Sequence, residues 1–430
     1  MPEITPFCGL RYNPDRFAND FSNLIAPPYD VLDDDDKDDL LSKHEQNIVA
    51  VDLPHVPPKS AGPDELYAKA AKTLAQWLQD GTLIRDHKPA IYVYHQLYEY
   101  EGKSFTRRKF FARMRLEEFG KGTVFPHEQT FGGPKEDRLK LMEATKCQLS
   151  AIFALYSDPD NKVSTLLNVD GRDPDLTAEL QGITNKLWVV NDASTIKAVQ
   201  DQMADRPVYI ADGHHRYGTA LMYRDKVLAE SRDLPTDHPA RFILVGLCAM
   251  EDPGAVILPT HRVLSDFGNL DPNQILTALE EGLKIEEAGP DITDPKQLLP
   301  ENKPYDMGIY IPANNGMYTA QFNQRQIIGR LAPQQSAAWQ NLDLAYLHRY
   351  LIDELVTKKA LGGKAPKVHC VKSLDDTIKI ARDKKAIAFI TKACTMDDLR
   401  GVSAAGDLMP QKSTFFYPKL ATGLVINPLQ

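Results

Sequence analysis

Apolar positions recur at helical spacing from Leu66 to Leu78, where Leu66, Ala70, Leu74, Trp77 and Leu78 share a face before the stop Asp80 Gly81. This spacing predicts an amphipathic helix. The period then shortens, and the runs Ala90 to Leu97, Ser104 to Arg115, Ser150 to Tyr156 and Leu187 to Val190 read as strands, with helical stretches at Glu136 to Thr145 and Ser194 to Met203 among them. A β-branched, apolar run, Pro207 Val208 Tyr209 Ile210 Ala211, predicts a buried strand, after which Tyr217, Ala220, Leu221 and Arg224 resume helical spacing. The central region therefore alternates strand and helix, the pattern of an α/β fold. Another strand pair, Arg241 to Met250 and Ala255 to Leu258, runs into Pro259 Thr260 His261 Arg262.

Beyond Asp266 the texture changes. Asp271 Pro272 opens a predicted helix to Leu283, and the polar, proline-bearing stretch from Gly289 to Pro304 is the candidate boundary region. Met307 to Ile311 and Met317 to Phe322 flank Asn314 Asn315 Gly316 as a hairpin, a helix spans Asp343 to Lys358, and two further α/β units complete the chain. No internal repeat is found. At 430 residues the chain exceeds what one core usually supports. The expected organisation is an α/β domain over 1–265 and a second α/β domain over 266–430 that ends in a docked tail, Met409 to Lys419.

Composition narrows the function classes. Apolar residues make up 43% and charged residues 25%, which supports a large core and argues against global disorder. The net charge of -9 and the lack of a Lys/Arg-rich block count against a nonspecific grip on nucleic acid. The N-terminus has neither a charged nor an apolar leader region, and no apolar run nears the roughly eighteen residues of a membrane span, the nearest being Phe242 to Met250. These features read as a cytoplasmic protein with no membrane partner. The five cysteines, Cys8, Cys147, Cys248, Cys370 and Cys394, form no C-x-x-C pair, so neither a zinc knuckle nor a disulfide framework follows. His369 beside Cys370 reads as strand-end packing.

Chemistry is densest where the predicted strand at Ala211 delivers into Asp212 Gly213 His214 His215 Arg216 Tyr217. A glycine admits close backbone approach, two imidazoles titrate near neutrality, an arginine holds phosphate or carboxylate bidentately, and an aspartate binds a cation or takes a proton. Strand ends of α/β proteins are where ligands bind. Val124 to Thr130 places His127 beside Glu128, and a Gly-Gly-Pro loop leads on to Lys135 Glu136 Asp137 Arg138. Glu128 suits a general base or metal ligand, and Lys135 with Arg138 suits anions at a helix N-terminus; a capping role for the same residues is equally open on spacing. Ala26 Pro27 Pro28 Tyr29 Asp30 Val31 is rigid and non-helical, as a plain loop or a wall of a site. Asp33 to Asp36, with Asp38 and Asp39, reads as a solvated helix N-terminus. His261 and Arg262 repeat the His and Arg theme at a strand end, and Lys412 and Ser413 in the tail can reach an anion.

Taken together, Cys8 to Tyr12, Ala26 to Val31, Pro126 His127 Glu128 with Thr130, Pro134 Lys135 with Asp137 Arg138, Asp212 to Tyr217, Leu258 to Arg262 and Met409 to Lys419 resemble the bacterial and archaeal Domain of Unknown Function 1015 family over essentially the whole chain. The element Asp212 Gly213 His214 His215 Arg216 is similar, locally, to the Asp-Gly-His-His-Arg element of the ParB and sulfiredoxin superfamily, which includes nucleotide-dependent kinases of free serine. That resemblance implies a ParB/sulfiredoxin-like nucleotide-binding core in a mixed α+β chain. It gives Asp212 a metal or base role and gives phosphates to His214, His215 and Arg216. No Walker-type Gly-x-x-x-x-Gly-Lys loop accompanies it.

The expected function is a metal-dependent phosphotransferase that uses ATP or ADP and magnesium to phosphorylate a small hydroxyl metabolite such as free serine. Its catalytic residues would be Glu128, Asp212 and His215, with Asp212 also the metal ligand. Nucleotide and phosphate would fall to Gly213, His214, Arg216, Lys135, Arg138, His261, Arg262, Lys412 and Ser413. Two other readings are open: a ParB-like nucleotide-binding switch or nucleic-acid-associated module without turnover, and a phosphomonoester hydrolase.

Overall fold

The runs Ile91–Tyr100 and Lys103–Arg115 pair antiparallel in register from Tyr92 opposite Phe111 to Tyr100 opposite Lys103. Glu101 and Gly102 join them at φ of 50° and 71°, the positive pair that matches a two-residue turn to strand twist. This hairpin lies inside a mixed sheet of nine strands in the computed structural model, which describes residues 2–17, 20–58, 60–129, 132–231 and 234–430. In space the order is Val124–Phe125, Val208–Asp212, Ile152–Tyr156, Phe242–Ala249, Lys103–Arg115, Ile91–Tyr100, Ile183–Val190 and Leu176–Leu180, with Ile4–Thr5 added beside Lys103–Arg115. The pairs Val124–Phe125 with Val208–Asp212 and Ile152–Tyr156 with Phe242–Ala249 run parallel, and the other pairs run antiparallel.

Period-two alternation gives this sheet two unlike faces. One presents Val93, Phe110, Ala154, Ile210 and Val245 to helices Ala193–Met203 and His214–Glu230, which contribute Ile196, Val199, Met203, Tyr217 and Ala220 to a common apolar core. The opposite face buries polar groups. Tyr94 stands across from Lys109 and Gln96 across from Arg107, and Gln96, Arg107 and Lys109 are all buried. The Lys109 ammonium lies 4.2 Å from the Tyr94 ring centroid and donates to Gln96 Oε1, an acceptor shared with Arg107. Burial holds the Lys109 pKa well below its usual value.

The chain divides into two compact units, Met1–Val256 with Pro418–Gln430, and Ile257–Tyr417. The units part at 256/257 instead of 265/266, and the last residues rejoin the first unit. Long-range backbone pairing explains the return: Ile426 bridges Leu10, Thr422 bridges Ala26, and Asn427–Pro428 pairs with Cys147–Gln148. Local patterning carries no signal of such pairing.

The second unit holds an antiparallel six-stranded sheet in the order Leu283–Glu287, Gly316–Phe322, Met307–Ile311, Ile387–Thr391, His261–Ser265 and Lys367–Val371. The stretch from Gly289 to Pro304 is internal to this unit and no boundary, because Leu298 within it is fully buried among Val263, Tyr310 and Ile390. The helix opened by Asp271 ends at Leu279, and Leu283 already starts a strand.

His261 and Arg262 begin the strand His261–Ser265 instead of capping the preceding one. Arg262 is buried, donating to the carbonyls of Thr260 (2.6 Å), Gln411 (3.0 Å) and Lys412 (3.1 Å), and from Nε to His348 Nε2 at 2.9 Å. His261 Nδ1 accepts from the Thr391 amide at 3.2 Å. Both imidazoles act as acceptors, which a protonated ring cannot do.

Burial, then the Arg262 charge, pushes His261 down to about 4 and His348 to about 3. Between those values and the unfolded value of about 6.5, the unfolded chain binds more protons, so stability is present above that range and lost as pH falls through it. Calorimetry is expected to show Tm falling by several degrees from about pH 7 to about pH 4.5. His348→Gln, which accepts from Arg262 without titrating, should flatten part of that dependence. An unchanged slope in the variant would contradict this assignment.

Candidate active site

Along Val208–Asp212 the side chains of Val208 and Ile210 enter the apolar core, and strict alternation would send Asp212 after them. A register shift prevents it. Tyr209 pairs with Leu155 and Ile210 with Ala154, but Asp212 pairs with Phe153, leaving Ala211 as an extra residue. A bulge of this kind re-aims the side chain that follows it, and here it turns Asp212 to the polar face.

Gly213 follows at φ 90° and caps helix His214–Glu230 without a side-chain bond. A Cβ there would stand 2.9 Å from Ile152 Cγ2 and 3.0 Å from Arg216 Nε. Glycine is thus required for both conformation and space. The helix returns Arg216 one turn later, and its Nη2 meets Asp212 Oδ2 at 2.7 Å while Nη1 donates to the Ala151 carbonyl. Asp212 Oδ1 takes the Lys419 ammonium. Burial raises the Asp212 pKa, but Lys419 and Arg216 outweigh it and hold the carboxyl well below the usual carboxylate range.

Lys419 is fixed by its own backbone. Its carbonyl accepts from Gln96 Nε2 at 2.9 Å, the Pro418 carbonyl accepts from Arg107, and the Ala421 amide donates to Tyr94 Oη at 3.4 Å.

A second cation stands behind Arg216. Helix Gly132–Thr145 supplies Arg138, 4.0 Å from the Tyr29 ring centroid, and Arg216 lies 5.9 Å from the same ring. Arg138 pairs with Asp137 at 2.7 Å and with Asp52 at 3.5 Å, and Tyr67 Oη donates to Asp137 at 2.6 Å. The Asp52 pKa is raised by burial, which Arg138 only partly offsets. Two carboxylates are thus pushed in opposite directions, Asp212 towards permanent ionisation and Asp52 towards carrying a proton. Between Arg138 and Arg216 lies a cavity of about 30 Å³, also lined by Asp52, Gln148 and Ser150, the space of a single water.

On the other flank, His127 is fully buried, with Nδ1 bonded to the Ile210 carbonyl at 2.8 Å and its amide donating to His214 Nε2 at 3.3 Å. An accepting Nε2 places the neutral His214 proton on Nδ1, and this nitrogen stands 3.9 Å from Glu128 Oε2. The Lys135 stem runs along Gly218, where a Cβ would meet its Cδ at 3.0 Å, and Thr219 Oγ1 bonds the His215 carbonyl at 2.9 Å. Apart from the Ile210 carbonyl, which lies on the strand, these contacts fall within the first turns of the helix that Gly213 caps.

The first unit therefore gathers Glu128, Lys135, Arg138 and Asp212 to Arg216 around one strand end. Thr130 and Phe131 of the same motif lie outside the described residues. His261, Arg262, Lys412 and Ser413 belong to the second unit, where backbone carbonyls engage Arg262 and Thr260 Oγ1 donates to the Lys412 carbonyl at 2.6 Å. Ser413 Oγ donates to the Pro410 carbonyl. These bonds brace that unit's own chain turn, with Lys412 taking part through its backbone carbonyl. Tyr29, Asp52 and Lys419 are the additions. The rigid Pro-Pro-Tyr-Asp run signalled the first, and the end of the tail motif the last; Asp52 carried no signal.

Each Asp212 oxygen meets one cation, Arg216 at Oδ2 and Lys419 at Oδ1, and a carboxylate oxygen keeps a second lone pair beyond such a contact. Among the described residues, no group of three or more His, Cys, Asp or Glu stands close enough to hold a metal ion. No helix among them is long and apolar enough to cross a membrane.

A family profile, Protein of unknown function (DUF1015), matches residues 4–345, and the chain belongs to that family. No curated protein matches it by sequence. Among solved structures, a free serine kinase variant in complex with AMP is 12% identical, with 72% of this chain and 87% of that chain covered at a TM-score of 0.34. SbnI with C-terminal truncation from Staphylococcus aureus is 11% identical over 71% and 84% at 0.33. A conserved hypothetical protein from Pyrococcus furiosus is 13% identical over 69% and 89% at 0.31. Likenesses of this size give no residue a role.

The Lys419 and Asp212 side chains are each 19% exposed. Removing one partner strands a poorly solvated charge, so Lys419→Met is expected to cost about 1–3 kcal/mol in urea unfolding, below the full penalty for a wholly buried pair. In a double-mutant cycle with Asp212→Asn the losses should be non-additive by about 1 kcal/mol or more. Simple additivity would show that the pair does not couple.

Proposed function

We propose that the chain is a phosphotransferase that uses ATP or ADP to phosphorylate a small hydroxyl metabolite, with free serine the acceptor implied by the Asp-Gly-His-His-Arg resemblance. The observation that carries this reading is the ionised Asp212 held between Lys419 and Arg216 at the bulged strand end, beside the pair Glu128 and His214. Phosphoryl transfer asks for positioning and charge neutralisation more than for covalent chemistry. Arg216, Lys419 and Lys135, together with the first amides of the helix capped by Gly213, supply that positive field. Asp212 sets the spacing of two of these cations. Magnesium, in this reading, arrives on the nucleotide phosphates, and no side chain is assigned to it.

Glu128 is the base. The acceptor oxygen attacks the terminal phosphorus of the nucleotide, the bond from that phosphorus to the bridging oxygen breaks, and the hydroxyl proton passes to Glu128. His214, with its proton on Nδ1, steadies the Glu128 carboxylate, and His127 fixes His214 through its backbone amide. These two histidines are positioning residues.

Nucleotide consumption by the purified chain, assayed with ATP and ADP against a panel of hydroxyl amino acids and with phosphoserine alone, tests the class. Transfer to an acceptor is expected, and phosphoserine hydrolysis without nucleotide would favour a hydrolase. Glu128→Gln should lower kcat by about 10²–10⁴ with little change in KM for nucleotide. Asp212→Asn should abolish turnover in a chain that still folds; unchanged activity in either variant would refute these roles.

A further inference from the structure

A cleft of about 320 Å³ opens on the face of the first sheet opposite to the one that Asp212 turns towards. Its floor is apolar, made by Val93, Phe110 and Tyr156, each almost wholly buried. Register makes the floor grade into a polar edge: Val93 pairs with Phe110, and one step along the same face His95 pairs with Arg108. One wall is the short helix Lys162–Leu166, pinned by Asp158, whose carboxylate accepts from the amides of Lys162 (3.1 Å), Val163 (3.0 Å) and Ser164 (3.3 Å) and pairs with Arg206. The cleft is thus a built concavity near the lower end of the roughly 300–1,000 Å³ usual for small-molecule sites.

Two of its charged groups, Arg108 and Asp252, are only loosely satisfied, whereas Lys109, which also lines it, donates to Gln96. Arg108 is half-exposed and reaches Asp252 at 4.0 Å, the outer limit of an ion pair, whereas the Asp252 side chain is buried. Each Asp252 oxygen takes one backbone amide, from Gly254 at 2.8 Å and from Arg108 at 3.3 Å, which leaves lone pairs on both. Burial raises the Asp252 pKa, and those amides and Arg108 only partly offset it, as expected of an undercompensated charge. His95 stacks on Trp188 with centroids 4.8 Å apart and has no hydrogen bond to another described residue. Burial, followed by Arg108 and Lys109, keeps it neutral by lowering its pKa to about 4. It can therefore both donate and accept at pH 7.

We propose that this cleft binds a small α-amino acid with an apolar side chain, its carboxylate on Arg108, its ammonium on Asp252 and its side chain on Val93, Phe110 and Tyr156. A cation and an anion side by side at the end of an apolar floor match a zwitterion with an apolar body, and a guanidinium takes a carboxylate in two parallel bonds. This site does not depend on the phosphotransferase reading, and the amino acids that test it lack a hydroxyl acceptor.

Titration calorimetry of the full chain with L-leucine, L-phenylalanine, phenethylamine, 3-phenylpropionate and adenosine tests it. Saturable binding of both amino acids is expected, weaker by about tenfold or more for the two analogues that lack one charge. Arg108→Ala, at a half-exposed position, and Ser164→Trp, which fills the cleft from its wall, should each weaken phenylalanine binding by about tenfold or more with Tm unchanged. Amino-acid binding indifferent to both substitutions, binding of adenosine alone, or no binding by any of the five would overturn the proposal.

Discussion

A carboxylate held out of water by two cations organises the first unit. Asp212 is placed by a bulge that breaks strand alternation, and an unpaired charge in that position would cost several kcal/mol. Arg216 comes from the helix that the bulge and Gly213 launch, whereas Lys419 comes from the far end of the chain. Local geometry thus supplies one partner and long-range pairing the other. The site is complete only when the C-terminal residues have returned across the polar face, where the Pro418 and Lys419 carbonyls meet Arg107 and Gln96.

The two faces of the sheet divide the labour. The apolar face packs helices and carries the stability of the unit, and the polar face buries Gln96, Arg107 and Lys109 at considerable electrostatic cost. The single residue added at Ala211 decides which face receives Asp212. On the apolar face the same side chain would be a buried carboxylate against Ile210 and Val245; on the polar face it spaces Lys419 and Arg216. This placement is what makes a phosphate reading chemically reasonable, since the cations are preorganised and the Glu128 and His214 pair stands within reach of the same helix start.

Much of this was legible in the chain. The helix expected from Leu66 to Leu78 forms as Asp64–Gln79, and Asp33 caps its helix as the acidic run suggested. The strands expected at Ala90 to Leu97 and Ser104 to Arg115 form, their pairing as a hairpin being added by the structure. Clustering of titratable groups at Asp212 to Arg216 located the candidate site, because strand ends leave few structural uses for such residues. What was not legible has a common cause. The bulge, the return of Lys419, the Asp52 partner of Arg138 and the paired-up Arg262 all depend on contacts between segments far apart in sequence, which periodicity does not encode. His261 and Arg262 illustrate the limit. Their residue types matched the theme at Asp212, but a strand beginning at His261 spends them on backbone groups.

A crystal structure of the full chain grown with a non-hydrolysable ATP analogue would decide whether the clamp is a phosphate site. The account predicts phosphate oxygens against Lys419 and Arg216 at the helix start capped by Gly213, with the terminal phosphate facing Glu128. Phosphates bound elsewhere, with the Lys419, Asp212 and Arg216 contacts undisturbed and distant, would contradict it.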